Sequence, residues 1–177
     1  MCNLDKIVDR CKKGDRKAGE QLYHMFSAKM FAVCIQYSKS REEAEDNLQD
    51  GFIKVLESID QYKGKGSFEG WMKRIFINMA LEKFRKKRSI QVVEEVPEVV
   101  DEDDVDDDVN IPPEVLFEFV NQLPEKYRLV FNLYVMEGMQ HKEIAALLGI
   151  SDGTSKSNLA RAKEILKRKI NAYMRDE

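Results

Sequence analysis

Apolar residues recur at spacings of three and four along most of this 177-residue chain, a period that fits amphipathic helices and not strands. A short helix is expected from Asp5 to Lys12. Gly14 and Asp15 then open a longer one that turns Leu22, Phe26, Val33 and either Phe31 or Cys34 inward. Ser40 followed by Glu43 has the spacing of a capping box. Behind it, Ala44, Leu48, Phe52, Val55, Leu56 and Ile59 form one apolar stripe. Gly64 and Gly66 break the stretch from Gln61 to Ser67 into a loop, and Ser67 can cap a helix reaching about Arg88, with Trp71, Ile75, Met79 and Phe84 aligned. Further on, Tyr127, Val130, Phe131, Tyr134 and Val135 predict a helix that packs behind a pair. The first of that pair carries Ile144, Ala145 and Leu148 and stops at Gly149. Ser151 can cap the second, which turns Leu159, Ala162, Ile165 or Leu166, and Ile170 inward. Glycine and proline total only 13, and the one valine-rich stretch, Ile90 to Val100, is interrupted by carboxylates and Pro97. The expected class is all-α.

Charge divides the chain where periodicity does not. Residues 1–89 hold 19 Lys and Arg against 13 Asp and Glu, residues 90–113 hold none against 10, and residues 114–177 hold 10 against 9. The net charge of -3 conceals this arrangement. A self-repelling acidic segment without apolar periodicity reads as a flexible linker, so two small helical domains, 1–89 and 114–177, are expected on either side of it. Fully extended, the linker would reach roughly 80 Å, more than the roughly 70 Å of two turns of duplex. Cys2, Cys11 and Cys34 form no CxxC pair and have no histidine at ligand spacing. Cys34 reads as a buried apolar residue and the other two as incidental thiols. No apolar run has the length to span a bilayer, and the N-terminal residues lack the apolar core of a secretory signal, so a cytoplasmic protein without membrane insertion is expected.

Three constellations carry chemistry. Residues 140–169 read as a helix-turn-helix, whose second helix presents Thr154, Lys156, Ser157 and Arg161 where base edges are read, with Glu164 and Arg168 on the same side. A solvated helical hairpin is the plainer alternative, and the third amphipathic helix behind the pair argues against it. Between Lys63 and Arg88 there are nine cationic residues against two Glu, interleaved with Phe68, Trp71, Phe76 and Phe84. Cations beside aromatics suit partly single-stranded nucleic acid, and the glycines between Lys63 and Ser67 permit close backbone approach. Phe76 and Phe84 belong with the core by this reading, while Trp71 is divided between core and nucleic acid. Asp46, Gln49 and Asp50 share the polar side of an otherwise apolar helix, either as a solvated face or as a dock for a basic partner surface. Nothing suggests catalysis: His24 and His141 are isolated, and there is no phosphate-cradling glycine loop. A two-domain operator-binding regulator and a helical adaptor are the competing readings.

The blocks AEDNLQDGF and SFEGWMKRIFINMALEKFRKKR, an acidic linker, then LPEKYRLVFNLYVMEGMQHKEIAALLGISDGTSKSNLARAK, come in an order that resembles the extracytoplasmic function sigma factors, group IV of the sigma-70 family. The likeness covers nearly the whole chain. It implies a non-enzymatic initiation factor without a cofactor, whose partners are bacterial core RNA polymerase (beta-prime and beta subunits), promoter DNA and an anti-sigma factor. By resemblance, Asp46, Gln49 and Asp50 dock the beta-prime clamp helices. Lys63, Lys65 and Ser67 of the loop, with Trp71, Arg74 and Asn78, take the minus-10 element and a flipped base, while Arg85, Lys86, Lys87 and Arg88 hold phosphates. Lys156, Ser157 and Arg161, supported by Thr154, read the minus-35 element. Asn47, Glu82 and Ser155 depart from the common pattern, and Ala160 offers little side chain for base contact.

Overall fold

The computed structural model describes residues 3–90 and 111–176, and among these all regular structure is helical. The acidic segment expected as a linker falls mostly on residues 91–110, outside the described ones. The chain divides into two compact units, Met1–Phe84 and Arg85–Glu177.

The first unit is built from α1 (Asn3–Lys12), α2 (Arg16–Tyr37), α3 (Arg41–Ser58) and most of α4 (Phe68–Ile90), with a 3-10 turn at Ile59–Gln61. Asp15 starts α2 by accepting from the backbone N–H groups of Lys17 and Ala18. At the head of α3, Ser40 Oγ accepts from the Glu43 N–H at 3.2 Å, while the Glu43 carboxylate reaches one residue further back than the standard box, to the Lys39 N–H at 2.7 Å. Leu22, Met30, Val55, Met72 and Leu81 are fully buried. Each such side chain contributes roughly 1.5–3 kcal/mol by leaving water.

Three expectations are corrected here. The buried row of α4 is Phe68, Met72, Phe76, Ile77, Ala80 and Leu81, with Trp71, Ile75, Met79 and Phe84 half-buried at its margin. Two apolar rows offset by one residue compete along this helix, and Gly51 decides between them. A Cβ at position 51 would land inside the Phe76 ring, so glycine alone leaves the recess that this ring fills. Leu56 is exposed at the rim beside Gly19, and does not continue the α3 stripe inward. Cys11 is buried with Ile7 and Val8 on the inward face of α1 and is no incidental surface thiol. Cys34 is buried as expected, and desolvation pushes its thiol up to about 12.

The second unit contains α5 (Pro113–Asn121), α6 (Glu125–Phe131), α7 (His141–Leu148) and α8 (Asp152–Asp176). The sequence reading missed α5, a short helix opened by Pro113 in its first turn. It carries Val120 onto Leu123, Ala162 and Leu166, with Phe119, Tyr127, Phe131 and Ile165 around them. Arg128 is also buried, and its guanidinium Nη1 donates to the Asn121 carbonyl at the end of α5 at 3.0 Å. The helix predicted through Val135 turns instead into a π-helical turn, Asn132–Met136. The extra residue in that turn rotates the following side chains outward. Asn132 and Leu133 are therefore fully buried, while Tyr134 and Val135, expected inside, are exposed.

Candidate nucleic-acid interface

The helix-turn-helix forms as its sequence requires. Gly149 adopts φ 66° and ψ 39°, the left-handed stop that ends α7. Ser151 Oγ accepts from the Thr154 N–H at 2.9 Å and lies 2.8 Å from the Thr154 hydroxyl, which starts α8. Ile144 and Leu148 of α7, with Leu159, Ala162 and Leu166 of α8, are buried, while Ile165 and Ile170 are only half-buried.

The four candidate readers stand on the first three turns of α8. Lys156 is exposed and pairs with Asp152 at 3.1 Å. Arg161 pairs with Glu164 at 2.8 Å, and that guanidinium holds the Glu164 carboxyl below the usual carboxylate range. Ser157 Oγ donates to the Thr154 carbonyl at 3.1 Å and keeps its lone pairs available. Thr154 is tied to Ser151 as described. Exposed ion pairs between neighbouring turns are weak, so a phosphate or base edge can take these cations at little cost.

Ser155 has no solvent exposure, and its Oγ lies 3.0 Å from Nδ1 of His141. Nothing in the residue pattern marks this pair, because residues 14 apart join only once the two helices cross.

In the first unit the loop from Tyr62 to Ser67 turns on Gly64 and Gly66, at φ 73° and 77°. Lys63, Lys65 and Ser67 are exposed on it. Ser67 Oγ accepts from the Gly70 N–H at 3.0 Å, the expected cap for α4. Trp71 is half-buried, its ring centroid 5.4 Å from Phe68 and 5.5 Å from Tyr62. Tyr62, not singled out from the sequence, completes this trio at 5.1 Å from Phe68. Arg74 and Asn78 are exposed at spacings that follow Trp71 along one side of α4, and Arg85 and Lys86 are exposed beyond them. Lys87 and Arg88 continue the helix, but their side chains lie outside the described residues.

Asp46, Gln49 and Asp50 are all exposed on α3. Between them Asn47 is buried, and its Nδ2 donates to Ser38 Oγ at 2.8 Å. Lys83 of α4 donates to Asn47 Oδ1 at 2.6 Å and to Asp50 Oδ2 at 2.8 Å. The asparagine that departs from the usual apolar choice thus anchors a lysine onto one carboxylate of the patch. Among the described residues, no group of His, Cys, Asp and Glu could hold a metal ion, and no helix is long and apolar enough to cross a membrane.

A helix-turn-helix accompanied by a basic and aromatic helical unit defines a DNA-binding transcription protein. Residues 22–90 match Sigma-70 region 2, and residues 114–166 match Sigma-70 region 4. The chain is 25% identical over 184 residues to the RNA polymerase sigma-H factor of Pseudomonas aeruginosa, covering 97% of this chain and 95% of that one. It is 28% identical over 181 residues to the ECF RNA polymerase sigma-E factor of Haemophilus influenzae, covering 95% of each. Among solved structures, the sigma factor RpoE of Bartonella quintana, in complex with the anti-sigma factor NepR, has a TM-score of 0.49 at 22% identity, covering 84% of this chain and 94% of that one. The chain belongs to the extracytoplasmic function sigma factors, group IV of the sigma-70 family. It directs RNA polymerase to promoters and is not itself an enzyme.

Proposed function

We propose that the two units divide promoter recognition between them, as a domain over 1–89 and another over 114–177 joined through 90–113. In the first, Asp46, Gln49 and Asp50 dock the beta-prime subunit of core polymerase. Lys63, Lys65 and Ser67, with Trp71, Arg74 and Asn78, take the minus-10 element with an unstacked base, and Arg85, Lys86, Lys87 and Arg88 neutralise neighbouring phosphates. In the second, Lys156, Ser157 and Arg161, with Thr154, read the minus-35 element in the major groove, and the beta subunit is the polymerase contact. The protein acts in the cytoplasm, and family membership brings an anti-sigma factor as its regulator.

The observation that carries this reading is the exposure of Lys156 on the opening turns of a capped α8, with Ser157 and Arg161 beside it and, among the described residues, neighbouring carboxylates as the ionic partners. The loop supports the minus-10 half: its cations are exposed beside a half-buried tryptophan. The test is run-off transcription with purified core polymerase on a promoter library, with this chain and with its Lys156→Ala, Arg161→Ala double variant. Starts that depend on the chain and share a two-part motif, lost in the variant, are expected. Equal transcription by the variant would overturn the minus-35 assignment.

A further inference from the structure

We propose that Lys12, on α1, is a positioning residue for the minus-10 loop, so that the helix preceding the region 2 match belongs to the DNA-reading unit. This rests on the loop assignment above. Residues 22–90 carry the family match, and α1 lies wholly before them. Yet the Lys12 ammonium donates to the Tyr62 carbonyl at 3.0 Å, across 50 residues of sequence, and sits 5.9 Å from the centroid of the Tyr62 ring.

Tyr62 is where the loop leaves the 3-10 turn, and it does two further things. Its hydroxyl donates to the Gly66 carbonyl at 2.8 Å, which closes the loop on itself. Its ring packs against Phe68 and Trp71. Among the described residues its other side-chain bonds are the Lys63 ammonium on the Asp60 carbonyl at 3.3 Å and the Ser67 cap on the Gly70 N–H at 3.0 Å. Lys63, Gly64, Lys65, Gly66 and Ser67 are all exposed, and the left-handed backbone at both glycines is the least restricted in the unfolded chain. A loop that must present cations and an aromatic wall to one unstacked base gains affinity from being fixed beforehand. Lys12 supplies that fixation from a stable base, because α1 is held by its buried Ile7, Val8 and Cys11. Lys12 is half-buried, and a charge-assisted hydrogen bond in such a place is stronger than one in open water.

The experiment uses holoenzyme assembled from core polymerase and the full chain, on a promoter taken from the run-off library. Affinity is measured for a fragment with an unpaired bubble at the minus-10 element and for a fully duplex fragment bearing the minus-35 element alone. Lys12→Met should weaken bubble binding by about five- to tenfold and slow open-complex formation. Its affinity for core and its minus-35 binding should stay as in the parent chain, and its thermal unfolding should fall only slightly, because methionine keeps the packing of the Lys12 stem. Lys12→Arg, which can still donate to the Tyr62 carbonyl, should restore most of the bubble affinity. Tyr62→Phe, which removes only the bond to Gly66, should lose part of it. Bubble binding by Lys12→Met equal to the parent, or lost only in step with core affinity and thermal stability, would overturn the role of Lys12. A parent holoenzyme that shows no preference for the bubble would instead overturn the minus-10 assignment, and the inference with it.

Discussion

His141 Nδ1 lies 3.0 Å from the fully buried Oγ of Ser155, and the same imidazole stacks on Tyr134 with ring centroids 4.7 Å apart. One ring therefore links the π-helical turn, the start of α7 and the recognition helix α8. Desolvation holds the His141 pKa below its ordinary 6.5, Lys156 and Lys163 push the same way, and Asp152 opposes them. The folded chain thus binds this proton less tightly than the unfolded chain does. The penalty is absent above pH 6.5 and grows as the pH falls through and below it. The urea midpoint, followed by circular dichroism, should fall more steeply between pH 7.5 and 5.5 in the parent chain than in His141→Gln. Parallel profiles would show that His141 carries no such linkage.

Asn47 is buried between two partners, donating to Ser38 and accepting from Lys83. Asn47→Leu takes away both bonds and leaves Lys83 with Asp50 as its remaining partner in this network. A loss of about 1–3 kcal/mol is expected, the usual cost of removing the partner of a buried hydrogen bond. Trp71 is the only tryptophan in the chain, so its fluorescence during urea unfolding reports on the first unit. Polymerase affinity should fall as well, because Lys83 is then held by Asp50 alone and fixes that carboxylate less firmly. An unchanged urea midpoint would show that the network adds nothing to the fold.

Gly51→Ala tests the contact that sets the face of α4. Alanine would raise helix propensity by about 1 kcal/mol, but its Cβ would enter the Phe76 ring. That ring is buried and packs edge-on to Phe52 at 5.6 Å, so it has little room to turn aside. Overpacking of this kind costs about 1–3 kcal/mol, so a net loss of up to about 2 kcal/mol should appear as a lower urea midpoint. A higher midpoint would mean that propensity outweighs the clash.

What could be read from the sequence follows from the range of the physics involved. Asp15, Ser40, Ser67, Gly149 and Ser151 act on neighbours within a few residues, and each starts or stops a helix where its chemistry requires. Most of the buried rows of α2 and α8 is legible for the same reason, although the sequence leaves open Phe31 or Cys34 and Ile165 or Leu166, of which Cys34 and Leu166 are the buried ones. Choices between competing rows were not. The α4 face depends on Gly51 in another helix, and Tyr134 and Val135 turn outward because of a π-helical residue that periodicity cannot register. The site divides in the same way. Lys156 and Arg161 stand out as cations on a capped helix, whereas the Lys83 and Asp50 pair and the His141 and Ser155 pair exist only after folding.

Glu164 is the one carboxylate near the middle of α8 on the side proposed to read DNA, and it accepts from Arg161 at 2.8 Å with Arg168 at 3.9 Å. In free protein this pairing is worth little, because all three side chains are substantially exposed. Against DNA the same carboxylate matters more, since it repels phosphate and holds Arg161 away from it. Glu164→Gln should therefore leave thermal stability almost unchanged while tightening holoenzyme binding to a minus-35 duplex at low salt. Each cation freed for phosphate adds about one to the magnitude of the slope of log affinity against log salt. The slope should steepen by about one, and the gain should extend to unrelated duplexes, because it comes from charge and not from base edges. Arg161→Ala should do the opposite and relax base preference at the position it reads. If Glu164→Gln changes neither slope nor affinity, this face of α8 does not meet the duplex, and the reading residues must be sought on the opening turn alone.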